Sequence, residues 1–292
     1  MSKQESPAQA YEEYLGPTIA DPFTRVLLEQ ITPRDGQRVL DVASGTGSVA
    51  RQVAPLVGAN GRVVALDVNP EMLAVGRILP ATGAAIEWLE GDATELKLPD
   101  AAFDLVLSQQ GLQFFPDRAA ALQEMWRVLV AGGDVAVNVW RSLDLHPLHQ
   151  ALFEAVARRL DVPLDTLDIA FSLSNAEELR TLLHDAGFRN VRIIERSLEI
   201  RLPAPERFVH LTVLGAATSI PAFSQMDSTT RTELVEAVTR ETEPIIRGHR
   251  DGDTLVFPMT THIGTGYKPS ESNGSGVEKS TVPLAQRVMD FS

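Results

Sequence analysis

The run from Arg38 to Val57 restricts the chain more than any other segment. Arg38-Val39-Leu40 is a short apolar strand start, Asp41-Val42-Ala43-Ser44-Gly45-Thr46-Gly47 carries a glycine turn, and Ser48–Val57 has helical character. Strand, glycine turn and helix in that order form the first half of a parallel βαβ unit. The glycines let a ligand approach the backbone closely, and the helix start offers unpaired N–H groups.

The same rhythm continues downstream. Strands are expected at Arg62–Asp67, Ala85–Glu90, Phe103–Ser108 and Asp134–Trp140, with helices between them. Asn69 is a plausible N-cap with Pro70 at the first helical position, and a helix is expected from Arg118 to Leu129. After Leu148–Leu160 the pattern changes. Ser174-Asn175-Ala176-Glu177 opens a helix, Val191–Leu202 and Thr254–Tyr267 read as strands, and the helices Pro205–Ala217 and Ser228–Glu243 lie between those two. Upstream, residues 7–32 carry apolar residues at helical spacing, and Pro17 and Pro22 are expected to break them into pieces.

The fold expected is α/β: a Rossmann-like, seven-stranded, mostly parallel sheet with helices on both faces, plus N-terminal helices and an inserted helical cap. Its divisions are an N-terminal helical segment (1–36), a core (37–203 and 246–268), a cap (204–245) and a disordered tail (269–292). The cap's apolar residues, Phe208, Val209, Leu211, Val213 and Leu214, then Ile220, Pro221, Ala222 and Phe223, suggest a lid over a substrate. Tyr11 and Tyr14 are candidates for closing the site from the N-terminal side.

Composition removes several function classes. There is no cysteine among the 292 residues, which excludes disulfides, thiolate metal sites and cysteine nucleophiles. A net charge of -13 disfavours a nucleic-acid phosphate backbone as partner. No apolar run is long enough to span a bilayer, so no membrane insertion is expected. Met1–Glu5 is polar and lacks a signal-peptide core, and cytoplasmic placement is the expectation. No His/Asp/Glu spacing suggests a metal site. A homo-oligomer stays open.

Gly45-Thr46-Gly47-Ser48-Val49-Ala50 fits the dinucleotide fingerprint, and Asp67 ends the next strand, where an acid can take ribose hydroxyls. That pattern serves nicotinamide, flavin and S-adenosylmethionine equally. Asp41 discriminates, because a carboxylate beside the turn repels a pyrophosphate and attracts an ammonium or sulfonium. Glu90-Gly91-Asp92-Ala93 closes the third strand with a turn able to accept from an adenine amino group.

Taken with Phe103-Asp104-Leu105-Val106-Leu107-Ser108-Gln109-Gln110-Gly111-Leu112-Gln113-Phe114-Phe115-Pro116-Asp117, these residues resemble the class I S-adenosylmethionine-dependent methyltransferases. More narrowly, they resemble the branch related to ubiquinone/menaquinone-biosynthesis and small-molecule methyltransferases, over roughly residues 37–140. Ala43 stands where the family has its first motif glycine. The resemblance implies that Ala43, Ser44, Gly45 and Gly47 line the methionyl part of S-adenosylmethionine, with Asp41 facing its amino group. It implies Asp67 on the ribose, Val68 and Met72 against the adenine, and Gly91, Asp92 and Ala93 at the adenine edge. Gln109 and Gln110 would lie near the transferred methyl, and S-adenosylhomocysteine would be the product. The partner implied is a small, partly hydrophobic methyl acceptor reacting at O, N or C.

His146 and His149 follow the fifth strand and are candidate bases. Phe114 and Phe115 are expected to pack the following helix. Two other functions stay open at this point: a non-catalytic binder of S-adenosylmethionine or S-adenosylhomocysteine, and an NAD(P)-dependent oxidoreductase on the same turn.

Overall fold

The computed structural model describes residues 6–217, 223 and 226–270. Strands β1 (Arg38–Val42), β2 (Arg62–Asp67), β3 (Ile86–Glu90), β4 (Phe103–Gln109) and β5 (Leu129–Trp140) form the parallel part of the sheet. β6 (Arg189–Pro203), β7 (Arg250–Asp251) and β8 (Thr254–Tyr267) complete it. The order is β3-β2-β1-β4-β5-β8-β6, with β7 beside β8. β8 lies between β5 and β6 and runs antiparallel to both, which leaves β6 at the edge of the sheet. The eighth strand beyond the expected seven is β7, two residues long.

Both faces of the sheet are covered, and the sequence shows why. Along β1 and β2, Leu40, Val42, Val64 and Leu66 bury into one apolar cluster, while Val39, Val63 and Ala65 bury into another. Side chains alternate between faces along a strand, so two-sided burial demands near-continuous apolar residues. The first cluster includes Leu122 and Met125 of a helix at Arg118–Val128, and Leu179 and Leu183 of a helix at Ala176–Asp185. The second includes Val26 and Leu27 of Asp21–Gln30 and Val49 and Val53 of Ser48–Val57. Side-chain caps fix where helices begin: Asn69 accepts from the Glu71 N–H, Asp117 from Ala120, and Asn175 from both Glu177 and Glu178.

Three expected boundaries shift. The helix at Arg118 ends at Val128, because β5 begins at Leu129, five residues earlier than expected. The helix at Ser228 runs to Gly248, carrying Pro244 inside it and passing the expected cap boundary at 245. The N-terminal segment does not break at its prolines. Pro7–Ala10, a π-helical stretch Tyr11–Ala20 and Asp21–Gln30 follow one another directly, with Pro17 inside the π-helical stretch and Pro22 in the first turn of the last helix, where proline is tolerated. Of the cap's apolar residues, Ile220, Pro221 and Ala222 lie outside the described residues, as does the tail from residue 271. Among the described residues, no helix is long and apolar enough to cross a membrane.

The N-terminal segment is tied at both ends. Tyr14 Oη donates to Pro203 O (2.6 Å) and lies 3.0 Å from Ala204 O, at the end of β6. Glu12 pairs with Arg51 at 2.8 Å, and Arg51 also donates to Thr46 O in the glycine turn. The segment therefore spans from the turn to the far edge of the sheet, roofing the strand ends.

Candidate active site

A cavity of about 680 Å³ opens at the C-terminal ends of β1, β2, β3 and β4. That is where open α/β sheets bind ligands. Asp41, Ala43, Ser44, Gly45, Asp67, Val68, Met72, Gly91, Asp92, Ala93, Gln109 and Gln110 all line it, and so does Tyr11 from the roof. Gly47 does not. Its backbone sits at φ +86°, and a Cβ there would meet Trp88 at 2.3 Å, so its neighbour is an indole ring. Gly45, at φ +56°, has open space where a Cβ would stand. One glycine thus faces the cavity and the other faces the core.

Ala43 also holds a left-handed backbone, φ +58°. This conformation costs an L-residue about 1–2 kcal/mol, which explains why glycine is common at that place. Gly111 packs over it: a Cβ on Gly111 would come 2.6 Å from the Ala43 Cβ.

The carboxylates differ in their partners. Asp41 is buried; one oxygen accepts from the Ala50 N–H at 3.1 Å and the other has no partner among the described residues. Burial pushes its carboxyl up to about 8; the Ala50 N–H opposes this, Asp67 adds to it, and Arg51 opposes it. Asp67 uses one oxygen for the Gly45 N–H (2.7 Å) and the other for the Asn69 N–H (2.8 Å). It therefore clamps the glycine turn to the start of the next helix. Asp92 is exposed, and its Oδ1 accepts from the Thr94 N–H (2.8 Å) and hydroxyl (2.7 Å), which together lower its pKa. No Lys or Arg appears among the described residues lining the cavity.

The two histidines separate. His146 is buried, its Nδ1 lies 3.0 Å from Ser142 O, and its Nε2 accepts from the Thr260 N–H at 3.1 Å. Both ring nitrogens are committed to backbone and the ring does not reach the cavity, so the structure withdraws His146 as a candidate base. His149 does line the cavity. Its Nδ1 is buried with no hydrogen-bond partner among the described residues, and Phe171, Phe208 and Phe257 lie around the ring at 5.7, 5.3 and 6.0 Å. Burial pushes its pKa down to about 3, with His146 adding to the fall, so the ring is uncharged at neutral pH.

The lid residues are also placed differently from expectation. Phe208 and Leu211 do not line the cavity; Phe208 packs edge-on to His149 at 5.3 Å and lies tilted against Phe257 at 5.2 Å. Tyr14 is the roof's strut, its hydroxyl spent on backbone carbonyls. The apolar lining comes instead from Leu15, Ile19, Phe23, Trp140 and Met259, with Phe114 and Phe115 at the mouth. Phe114 is half exposed, so it does not simply pack the next helix. Trp140 was findable, since it ends a parallel strand. Met259 and Phe23 carry no such local signal.

The order of the sheet, its single reversed strand and a cavity at the strand ends define a class I S-adenosylmethionine-dependent methyltransferase fold. Comparison with known proteins narrows this. The sequence profile of the ubiE/COQ5 methyltransferase family matches residues 18–160. A ubiquinone/menaquinone biosynthesis C-methyltransferase of Cronobacter sakazakii is 33% identical over 172 residues, 54% of this chain and 68% of that protein. The protein of the same description from Coxiella burnetii is 38% identical over 136 residues, 46% of this chain. The chain spans about half the length of the Coxiella relative, 54%.

The chain belongs to the ubiE/COQ5 methyltransferase family. Among solved structures, a phosphoethanolamine N-methyltransferase 2 of Haemonchus contortus, crystallised with S-adenosyl-L-methionine, aligns with a TM-score of 0.54 at 20% identity. The match covers 92% of this chain and 59% of that one. The cyclase SpnF aligns with a TM-score of 0.52 at 22% identity, covering 86% and 82%. At these identities the likeness is one of fold, and the cyclase shows that the fold alone does not fix the chemistry.

Proposed function

We propose that this protein transfers a methyl group from S-adenosylmethionine to an O, N or C atom of a small, partly hydrophobic acceptor. The observation that carries the reading is the set of acceptors in the cavity. Asp41 and Asp67 lie beside the glycine turn, and among the described residues one carboxyl oxygen of Asp41 has no partner and no Lys or Arg lines the wall. An ammonium favours loss of the Asp41 proton and pairs with the carboxylate left behind, whereas a pyrophosphate leaves that carboxyl neutral and meets the Asp67 oxygens with no cation to pair with among the described residues of the wall.

The residues fit the cofactor. Gly45 leaves the backbone open, Asp41 has an orphaned oxygen for the amino group, and Asp67 keeps lone pairs free for hydroxyls. Val68, Met72, Gly91, Asp92 and Ala93 would hold the adenine. When bound, S-adenosylmethionine supplies an electrophilic methyl on a positively charged sulfur. The chain's part is alignment and exclusion of water: the roof from Tyr11 to Phe23 covers the cavity, and Leu15, Ile19, Phe23, Trp140 and Met259 receive the apolar acceptor. His149 offers the acceptor a neutral imidazole as a hydrogen-bond partner. Its low pKa makes it an orienting group and a poor proton acceptor.

Asp41 yields a signed test. Below about pH 8 the empty site holds this carboxyl protonated. A cationic ligand favours the ionised form, so binding at pH 7 should release up to one proton, and affinity should rise with pH until about 8. Because the folded pKa is raised, the stability that protonated Asp41 contributes is full below about pH 4 and is lost as pH climbs through 8. Titration calorimetry with S-adenosylmethionine in phosphate and in Tris at pH 7 reads the proton from the difference in heat. Asp41→Asn should abolish that difference. Binding of NADH in place of the sulfur compounds would overturn the reading.

A further inference from the structure

Gln109 ends β4 and lines the cavity, and its amide is held from behind. Its Nε2 donates to Ala20 O (3.0 Å) and to Thr24 Oγ1 (2.9 Å). Its Oε1 is buried and has no partner among the described residues. Thr24 is fully buried; its Oγ1 lies 2.9 Å from Ala20 O and 3.1 Å from Ser48 Oγ. Ser48 in turn donates to Asp21 Oδ1, and Gln52 Nε2 lies 3.2 Å from the same carboxylate oxygen.

Counting hydrogens gives this chain a direction. A carboxylate oxygen accepts, so Ser48 spends its one hydrogen on Asp21 and can only accept from Thr24. Thr24 spends its one hydrogen on Ser48 or on Ala20 O, and has none left for Gln109. Ala20 O is also an acceptor. Both groups facing that end of the Gln109 amide therefore demand N–H, and a flipped amide would set oxygen against oxygen. The orientation follows from the network itself.

We infer that Thr24, with Ser48 and Asp21 behind it, is a positioning residue that holds the Gln109 carbonyl oxygen as the only end of the amide offered to the bound methyl donor. This rests on the cofactor reading above and deepens it. A carbonyl dipole fixed in this way favours a sulfonium over a neutral thioether. It makes the site prefer S-adenosylmethionine to S-adenosylhomocysteine, which helps the product leave. Two of the holding groups, Ala20 and Thr24, belong to the N-terminal segment, so that segment is part of the discrimination as well as the roof.

The experiment is calorimetric titration of the full chain with S-adenosylmethionine and with S-adenosylhomocysteine, for wild type, Gln109→Met, Thr24→Val, Thr24→Ser and the double variant Gln109→Met/Thr24→Val. Gln109→Met should cut the preference for the methyl donor about tenfold, because the positively charged sulfur loses a fixed carbonyl dipole that a neutral thioether hardly feels. Thr24→Val should cut it about fivefold, while Thr24→Ser, which keeps the hydroxyl, stays within about twofold of wild type. In the double variant the Thr24 change should add nothing, because its effect runs through Gln109. Equal weakening of both ligands by Thr24→Val, an unchanged preference, or additive effects in the double variant would each overturn the inference while leaving the cofactor reading in place. A wild-type chain that binds neither ligand would overturn the cofactor reading itself, and this inference with it.

Discussion

Asp67→Ala is expected to weaken S-adenosylmethionine binding by about 100-fold or more and to lower the melting temperature. The carboxylate accepts from the Gly45 and Asn69 N–H groups at 2.7 and 2.8 Å. Hydrogen bonds to a charged group contribute about 1.5–3 kcal/mol each, and a 100-fold change in affinity needs only about 2.7 kcal/mol. Alanine frees both N–H groups, loosens the turn that Gly45 presents to the cavity, and removes the lone pairs available to a ligand's hydroxyls. Asp67→Asn should be nearly as damaging to binding. Its amide would set an N–H against one of the two backbone donors and forfeit the charge. Calorimetry and thermal denaturation read the two effects separately. Binding within about fivefold of wild type for Asp67→Ala would remove this residue from the proposed site.

Asp67 was legible in the sequence because the βαβ unit is local. A strand, a glycine turn and an acid one strand later are set by chain continuity and register, and β1 pairs with β2 from Arg38↔Arg62 to Val42↔Leu66. Asp41, Gly45, Asp92 and Gln109 were legible for the same reason: each sits at a strand end, and strand ends converge on one side of a parallel sheet. What the sequence did not show depends on contacts between distant segments. Tyr14 reads as a lid residue until its hydroxyl is found on Pro203, 189 residues away. His146 reads as a candidate base until Thr260, 114 residues on, is found donating to it. Phe208 reads as substrate-facing, yet it packs against His149 and Phe257 and does not line the cavity. In each case an amphipathic or titratable side chain had several possible partners, and only tertiary packing chose one.

The two glycines of the turn show how far such packing divides residues that the sequence treats alike. Gly47→Ala is expected to destabilise the fold by about 3 kcal/mol, the sum of about 1–2 for a left-handed backbone and about 1–3 for overpacking. The added Cβ would lie 2.3 Å from Trp88 Cη2 and 2.8 Å from Cζ3. Trp88 is crowded at the same ring atoms by a second glycine, since a Cβ on Gly76 would also meet Cη2 and Cζ3 at 2.4 Å. Gly45→Ala carries a similar backbone cost at φ +56°, but its Cβ would enter open space in the cavity. It should therefore lower stability by only about 1–2 kcal/mol while weakening S-adenosylmethionine binding. Denaturant unfolding and calorimetry on both variants make the comparison. Adding Trp88→Leu should recover part of the stability lost in Gly47→Ala, because a shorter side chain relieves the clash, but it should recover nothing in Gly45→Ala. If the two alanine variants lost stability equally, or if Trp88→Leu gave no relief, the division of the turn into a core-facing and a ligand-facing glycine would be wrong.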